Sequence, residues 1–172
     1  RKCSIRDVTS KEANKFFENN HIQGKCNSSI NKALIFDDKI VSIASFSKSR
    51  FSKSYDYELI RFATKLNTIV VGGFSKLLKS FDKKGVLVSY ADRRYSVGNV
   101  YEENGFKLSH ITRPGYYYTK GGIRFNRQMF QKHKLENKLE SFDKNLTEYE
   151  NMIKNNYSRI WDCGQLVFTK EI

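Results

Sequence analysis

Three charged side chains, Asp92, Arg93 and Arg94, follow directly on the apolar run Val86–Ala91. That run has the length and the β-branched and aromatic content of a buried strand. The charges therefore lie at a strand's C-terminal end, the edge of an open α/β sheet where ligands usually bind. A carboxylate and two guanidinium groups there could grip a phosphate or move a proton. The same three residues also suit a charged loop with a solvated ion pair. Beyond them, Asn99–Asn104 has a short helical pattern that Gly105 would stop.

Two further places carry candidate chemistry. His21 stands just after the first expected helix, where C-terminal carbonyls favour a protonated imidazole. It could serve as a general base or a phosphate contact, or simply cap the helix. With Asp92 it forms the candidate catalytic pair. Gly72 and Gly73, with Ser75 and Lys76, open a helix whose first N–H groups could hold a phosphate. A tight strand-to-helix turn explains the glycines equally well. Other chemistries lack their residues. There is no H-E-x-x-H, no Cys/His set at zinc spacing and no G-x-S-x-G serine. No acidic cluster suits Mg²⁺, so no metal is expected. Glu58 and Arg61 share a strand that, if regular, points them to opposite sides.

The charge is the second signal. The 172 residues hold 31 Lys and Arg against 18 Asp and Glu, a net charge of +13. A domain this basic points to a polyanionic partner. Arginines lie near aromatic residues, as in Arg50-Phe51, Arg61-Phe62 and Arg94-Tyr95, the mixture that contacts phosphates and stacks on bases. Three cysteines without C-x-x-C spacing indicate a reducing compartment. No apolar run nears the roughly 20 residues a membrane span needs.

The elements that position these residues follow from pattern. Cys3–Arg6 reads as a short strand. The capping box Thr9-x-x-Glu12 opens a helix over Ser10–Asn19. Asn31–Phe36 and Ile40–Ser47 form a hairpin around Asp37-Asp38-Lys39, and Tyr57–Thr64 is a further strand. A helix runs from Gly73 to Phe81. Phe106–Thr112 and Tyr116–Thr119 read as a closing pair of strands around Pro114-Gly115. Past Gly121-Gly122 the character changes: Asn126–Leu139 is a basic helical stretch, Thr147-x-x-Glu150 opens a helix, and Ser158–Asp162 and Gln165–Thr169 suggest a last hairpin. The expectation is an α/β domain over residues 1–120 and a basic helical extension with a terminal hairpin over 121–172.

The order β-α-β-β-β-α-β-α-β over Ser10–Thr119 resembles the GNAT acyltransferase fold. Tyr101-Glu102-Glu103-Asn104-Gly105-Phe106 resembles the common ending of that fold. Those enzymes bind the pyrophosphate of acyl-CoA at a Q/R-x-x-G-x-G/A loop. Taking Gly72 as its first glycine puts Ile69 and Phe74 at the other key positions; taking Gly73 puts Val70 and Ser75 there. Neither register satisfies the pattern, so acyl-CoA is not expected as a cofactor.

A set of ordered motifs resembles another group. Asn20-His21-Ile22-Gln23-Gly24, Tyr57–Phe62, Val71–Leu77, Ser89–Arg94, Gln131–Leu135, Leu146–Glu148 and Arg159–Gly164 are similar to the C-terminal region of phage Hef-like homing endonucleases. In that family a Vsr-like nuclease domain of the EDxHD type, with its Mg²⁺, comes first, and the junction resembles Arg1-Lys2-Cys3. The resemblance implies a module that targets double-stranded DNA in the cytoplasm of an infected bacterium, with the nuclease part outside this sequence. A weaker similarity to phage Mom proteins, also GNAT-like, implies an acyl-group transferase acting on nucleic acid. In the DNA-binding reading, Lys48, Arg50, Arg61, Arg93, Arg94, Arg124, Arg127, Lys132 and Lys134 meet phosphates. Tyr95 stacks, and Gly72, Gly73, Ser75 and Lys76 hold a phosphate at the helix start.

The charge yields a first expected outcome. The chain should bind duplex DNA with an affinity that falls steeply with salt, because each neutralised phosphate releases counterions. A log–log plot of binding constant against salt concentration should slope by several units. A flat plot would remove DNA as the partner.

Overall fold

The computed structural model describes residues 2–172. Arg1, part of the expected junction, lies outside the described residues. The chain divides into two compact units. The first takes in the chain up to Ala91 together with Tyr95–Ile111 and Leu166–Ile172. The second takes in Asp92–Arg94 and Thr112–Gln165.

The first unit is built on a mixed seven-stranded sheet in the order β1-β2-β3-β4-β5-β10-β6. Its strands are β1 (Ser4–Asp7), β2 (Ile30–Phe36), β3 (Lys39–Lys48), β4 (Tyr57–Thr64), β5 (Val86–Asp92), β6 (Lys107–Ile111) and β10 (Gln165–Glu171). The β2–β3 hairpin turns on Asp37 and Asp38, at φ 47° and 55°. Two successive left-handed residues match the right-handed twist of a tight hairpin, and aspartate tolerates that conformation.

Helices cover both faces. Helix α1 (Ser10–Asn20) starts on the expected capping box: Glu12 N donates to Thr9 Oγ1 at 3.2 Å and Thr9 N to Glu12 Oε2 at 2.9 Å. It buries Ala13 and Phe17 against Ala33, Ile43, Ile60 and Ala63. On the opposite face, α2 (Gly73–Lys79) and the single turn α3 (Asn99–Glu102) help to enclose Phe74, Leu77, Leu87, Phe106 and Phe168.

The second unit holds a three-stranded sheet, β8-β7-β9, from β7 (Tyr116–Lys120), β8 (Ile123–Asn126) and β9 (Ser158–Trp161). Helix α4 (Glu148–Lys154) begins on the second capping box, at Thr147 and Glu150. Its core is Tyr118, Phe130, Leu135 and Met152.

The structure draws the division elsewhere than at residue 120. The chain leaves the large sheet after β6, builds the second unit, and returns as β10, which lies between β5 and β6. β6 and β7 therefore belong to different sheets, as do β9 and β10, so neither expected hairpin forms. The ends of the excursion are tied together: Thr112 N donates to the Gln165 carbonyl and Gln165 N to Thr112 Oγ1, both at 2.9 Å. Residues 126–139 are not one helix. Asn126 ends β8, and two 3-10 turns follow, Arg127–Phe130 and Lys132–Lys134. Nor is the positive charge a property of one end. The second unit carries twelve Lys and Arg against seven Asp and Glu, and the first carries nineteen against eleven.

One glycine tests the packing of the first unit. Gly98 sits at φ 95°, and a Cβ there would run into the Phe168 ring. Gly98→Ala should lower stability by about 3 kcal/mol, combining overpacking with a left-handed conformation. Gly72, at φ 69°, would meet nothing within 4 Å. Gly72→Ala should cost about 1 kcal/mol, from backbone conformation alone. Urea unfolding of the two variants measures the difference.

Candidate functional site

The parallel strands β4 and β5 pair over three positions only, Tyr57↔Leu87, Glu58↔Val88 and Leu59↔Ser89. Beyond Leu59 they run on without pairing. At the same point β4 slips against β3: Arg61 opposes Ser45 and Leu59 opposes Phe46, which leaves Ile60 as an extra residue. This is a β-bulge, which bends the strand that carries it. It also overturns the expected alternation. Glu58 and Arg61 are an odd number of residues apart, yet the extra residue puts both on the α1 side of the sheet.

That side of the fork is polar. Glu58 is buried at 2% exposure and accepts from Arg50 three times: from Nη2 at 2.5 Å, Nε at 3.1 Å and the backbone N at 3.3 Å. The hydrogen bonds from Arg50 to this carboxylate hold the guanidinium pKa above its usual value. The Arg50 guanidinium lies 5.2 Å from the Phe51 ring centre, and Phe51 meets Tyr90 of β5 edge to face at 5.5 Å. Burial raises the Tyr90 phenol pKa, and the Glu58 charge adds to the shift. Deeper across the sheet, Asn31 Oδ1 accepts from Ser28 Oγ at 2.7 Å and from Ser45 Oγ at 2.5 Å.

The other side of the fork is closed by Ser89. Its hydroxyl donates to the Leu59 carbonyl at 3.1 Å and lies 3.1 Å from Tyr101 Oη. Tyr101 stacks on Phe168 at 4.9 Å and meets Phe106 edge-on at 5.5 Å. Burial raises its pKa, so the phenol keeps its proton at neutral pH.

His21 follows α1 and is bound up with its own helix end. Its Nδ1 accepts from Gln23 N at 3.0 Å, and its ring meets Phe17 edge to face at 6.1 Å. Burial, with the Arg61 charge nearby, pushes its pKa down to about 4. The imidazole is therefore neutral at pH 7, not protonated as the helix end alone suggested. Desolvation and the guanidinium outweigh the helix carbonyls. Arg61 is itself half-buried and folds onto backbone, donating to the Ile60 carbonyl at 3.0 Å and the Gly24 carbonyl at 3.5 Å. Lys48 is exposed, and so is Tyr95. At the α2 start, Gly73 N donates to the Val70 carbonyl at 3.0 Å, and Lys76 Nζ donates to the Cys3 carbonyl. Lys76 thus ties β1's approach to α2, and Ser75 is half-buried on that helix.

The remaining expected residues lie in the second unit. Asp92 is buried and forked by Arg94, with Nε at 3.0 Å from Oδ1 and Nη2 at 2.5 Å from Oδ2. The Arg94 hydrogen bonds hold this carboxyl below the usual carboxylate range, which makes it a weak base. Arg93 donates to the Cys163 carbonyl at 3.0 Å. Arg124 lies 4.6 Å from the Tyr117 ring centre, and Arg127 lies 4.8 Å from that of Tyr116. Lys134 donates to the Gln128 carbonyl at 3.1 Å, and Lys132 is exposed. Among the described residues no three His, Cys, Asp or Glu side chains come together as a metal site, and no helix is long and apolar enough to cross a membrane.

No family model matches this sequence, and no curated protein does. Solved structures do. An acetyltransferase from Bacillus subtilis in complex with CoA superposes with a TM-score of 0.54 at 12% identity, covering 99% of both chains. A GNAT family acetyltransferase from Elizabethkingia anophelis with acetyl-CoA bound gives 0.50 at 12% identity, with 99% of both covered. A GNAT family acetyltransferase from Bacillus cereus gives 0.51 at 10% identity, covering 98% of this chain and 96% of the other. The chain has the GNAT fold. The expected mixed α/β architecture is therefore present, and at these identities the likeness speaks for architecture alone. None of these three structures is a homing endonuclease or a Mom protein.

Glu58, Ser89, Tyr90 and Tyr101 were not among the site residues expected from sequence. The signal for Tyr101 lay in the Tyr101–Phe106 ending. Glu58 had none, because a single extra residue in a strand leaves no mark on composition.

The neutral His21 makes stability depend on pH. An unfolded imidazole titrates near 6.5, so between that value and about 4 the unfolded chain binds more protons than the folded one. Stability should therefore be complete above pH 6.5 and fall as the pH drops toward 4. His21→Asn keeps an acceptor for Gln23 N and should flatten this fall. Urea midpoints at pH 7 and pH 5 for both proteins measure it.

Proposed function

We propose that this protein transfers an acyl group from a thioester to an amine on a polyanionic substrate. The observation that carries the reading is the fork between β4 and β5, with Glu58 on one side of the sheet and Tyr101 on the other. Acyl transfer needs a passage in which donor and acceptor meet from opposite directions, with a proton acceptor on one side and a proton donor on the other. Strands that part leave backbone N–H groups without ladder partners, the donors that an acyl carbonyl can use. In the balanced step, the amine nitrogen bonds the acyl carbon and the carbon–sulfur bond breaks. The amine's proton passes to water on the Glu58 side, where the carboxylate steadies the cationic nitrogen, and the leaving sulfur takes the proton of Tyr101.

The loop before α2 suits the donor less well than the fork does. Ile69 and Val71 point outward at 91% and 94% exposure, and Lys76 is committed to Cys3. Phosphates of a nucleotide-bearing thioester would find backbone there, with the lysine of this helix start already engaged. The net charge of +13 supports the choice of a polyanionic acceptor.

Titration calorimetry with acetyl-CoA, and mass analysis of nucleic-acid fragments incubated with it, test the reading. Saturable binding and an acyl mass shift are expected. Tyr101→Phe should leave donor affinity unchanged and lower turnover by about two orders of magnitude. Absence of binding at millimolar acetyl-CoA, or full turnover in Tyr101→Phe, would overturn it. A second reading, the DNA-targeting module of a homing endonuclease, rests on the same net charge. Salt-dependent duplex binding without any acetyl-CoA binding would favour that one.

A further inference from the structure

The segment joining β3 to β4, which brings Arg50 onto Glu58, also forms a built depression of about 680 Å³. Its size lies within the roughly 300–1,000 Å³ of small-molecule sites. Ser49 N donates to the Asp56 carbonyl at 3.2 Å, and Ser49 Oγ to the Ser52 carbonyl at 2.8 Å, so the loop is closed on itself. The lining includes Lys48, Arg50, Phe51, Lys53 and Tyr55. Phe51 is 67% exposed, although it is a large apolar ring with a buried core close by. Arg50 lies over it and is itself fixed by the buried Glu58. Asp56 accepts from Val86 N at 2.7 Å. Lys48 and Lys53 have no ion-pair partner among the described residues, so their charge is unspent.

We infer that this depression binds one nucleotide of a single-stranded nucleic acid, with the base stacked on Phe51 and the flanking phosphates on Lys48 and Lys53. A rigid ring held between a guanidinium and solvent is the platform that bases stack on, whatever their sequence. Two lysines at the rim supply the phosphate contacts that such sites combine with stacking. A base paired inside a duplex cannot present its face to a ring, so the site selects unpaired strands. Phe51 touches Tyr90, which lies on the Glu58 side of the fork. A base held here therefore sits beside the acceptor side. As an acceptor site it rests on the acyl-transfer reading; as a binding site it does not.

Fluorescence anisotropy with a labelled 12-nucleotide mixed-sequence single strand, and with its duplex, tests the inference without any acyl donor present. Phe51→Ala should weaken single-strand binding about tenfold or more, with little change for the duplex. Its salt slope should stay that of the parent protein. Lys48→Ala with Lys53→Ala should lower the slope by about 1.4, the share of two phosphates on a single strand. Phe51→Trp, made with Trp161→Phe, should keep the affinity and lose indole fluorescence when the strand binds. Unfolding midpoints of each variant separate lost binding from lost fold. Equal single-strand affinity in Phe51→Ala, indole fluorescence that the strand leaves unquenched in the Phe51→Trp protein, or no single-strand binding by the parent at low salt would each overturn it. Acetyl-CoA calorimetry on Phe51→Ala separates this failure from that of the transfer reading, because donor binding does not involve Phe51.

Discussion

One extra residue governs the site. Ile60 has no partner on β3, and from that point β4 no longer follows β5. A regular β4 would keep pairing, and the sheet would be continuous across its middle. The bulge trades ladder hydrogen bonds for a parting of the two strands. The protein covers part of that loss with side chains: the Ser89 hydroxyl on the Leu59 carbonyl and the Arg61 guanidinium on the Ile60 carbonyl. Buried polar backbone must find partners somewhere, and here the partners come from the same strands that part.

The bulge also decides where charge can be buried. Because it turns Glu58 and Arg61 to one side, the α1 face of the sheet carries a carboxylate, two guanidinium groups and a neutral imidazole. In the Glu58–Arg50 pair the carboxylate is buried while the guanidinium is 42% exposed, so removing Arg50 would leave a buried carboxylate without its partner. Such a pair is better understood as fixing geometry. It holds the β3–β4 loop against the strand and sets the position of Phe51. On the opposite face the aromatic set around Tyr101 is uncharged, and burial keeps its phenol protonated.

Local signals in the sequence were legible where the cause is local. Thr9 and Glu12 announced α1, Thr147 and Glu150 announced α4, and Asp37-Asp38 announced the hairpin, since each acts within four residues. The strand β5 was legible from its apolar run, and the mixed α/β architecture from the order of elements. What was hidden is non-local. The choice of β10 to sit between β5 and β6, and of β9 to join β7, depends on partners tens of residues away. The basic stretch after Asn126 looked helical from its charges. Its two buried apolar residues, Phe130 and Leu135, are five apart, which is not the spacing of one helix face. Of the site, the arginines were visible as types, but not their engagements: Arg50 with Glu58, Arg94 with Asp92, Arg93 with the Cys163 carbonyl.

The place of β10 has a consequence for synthesis. It is translated after every other strand of its sheet, yet it lies inside that sheet, and it brings Val167 and Phe168 into the interior. While the ribosome is still working toward it, β5 and β6 are already present with the gap between them unfilled. The second unit, made almost wholly before β10, has its own core and can close in that interval. The large sheet must instead wait with an open interior until Gln165–Glu171 emerges. During that wait the facing edges of β5 and β6 are templates for any other strand that reaches them first.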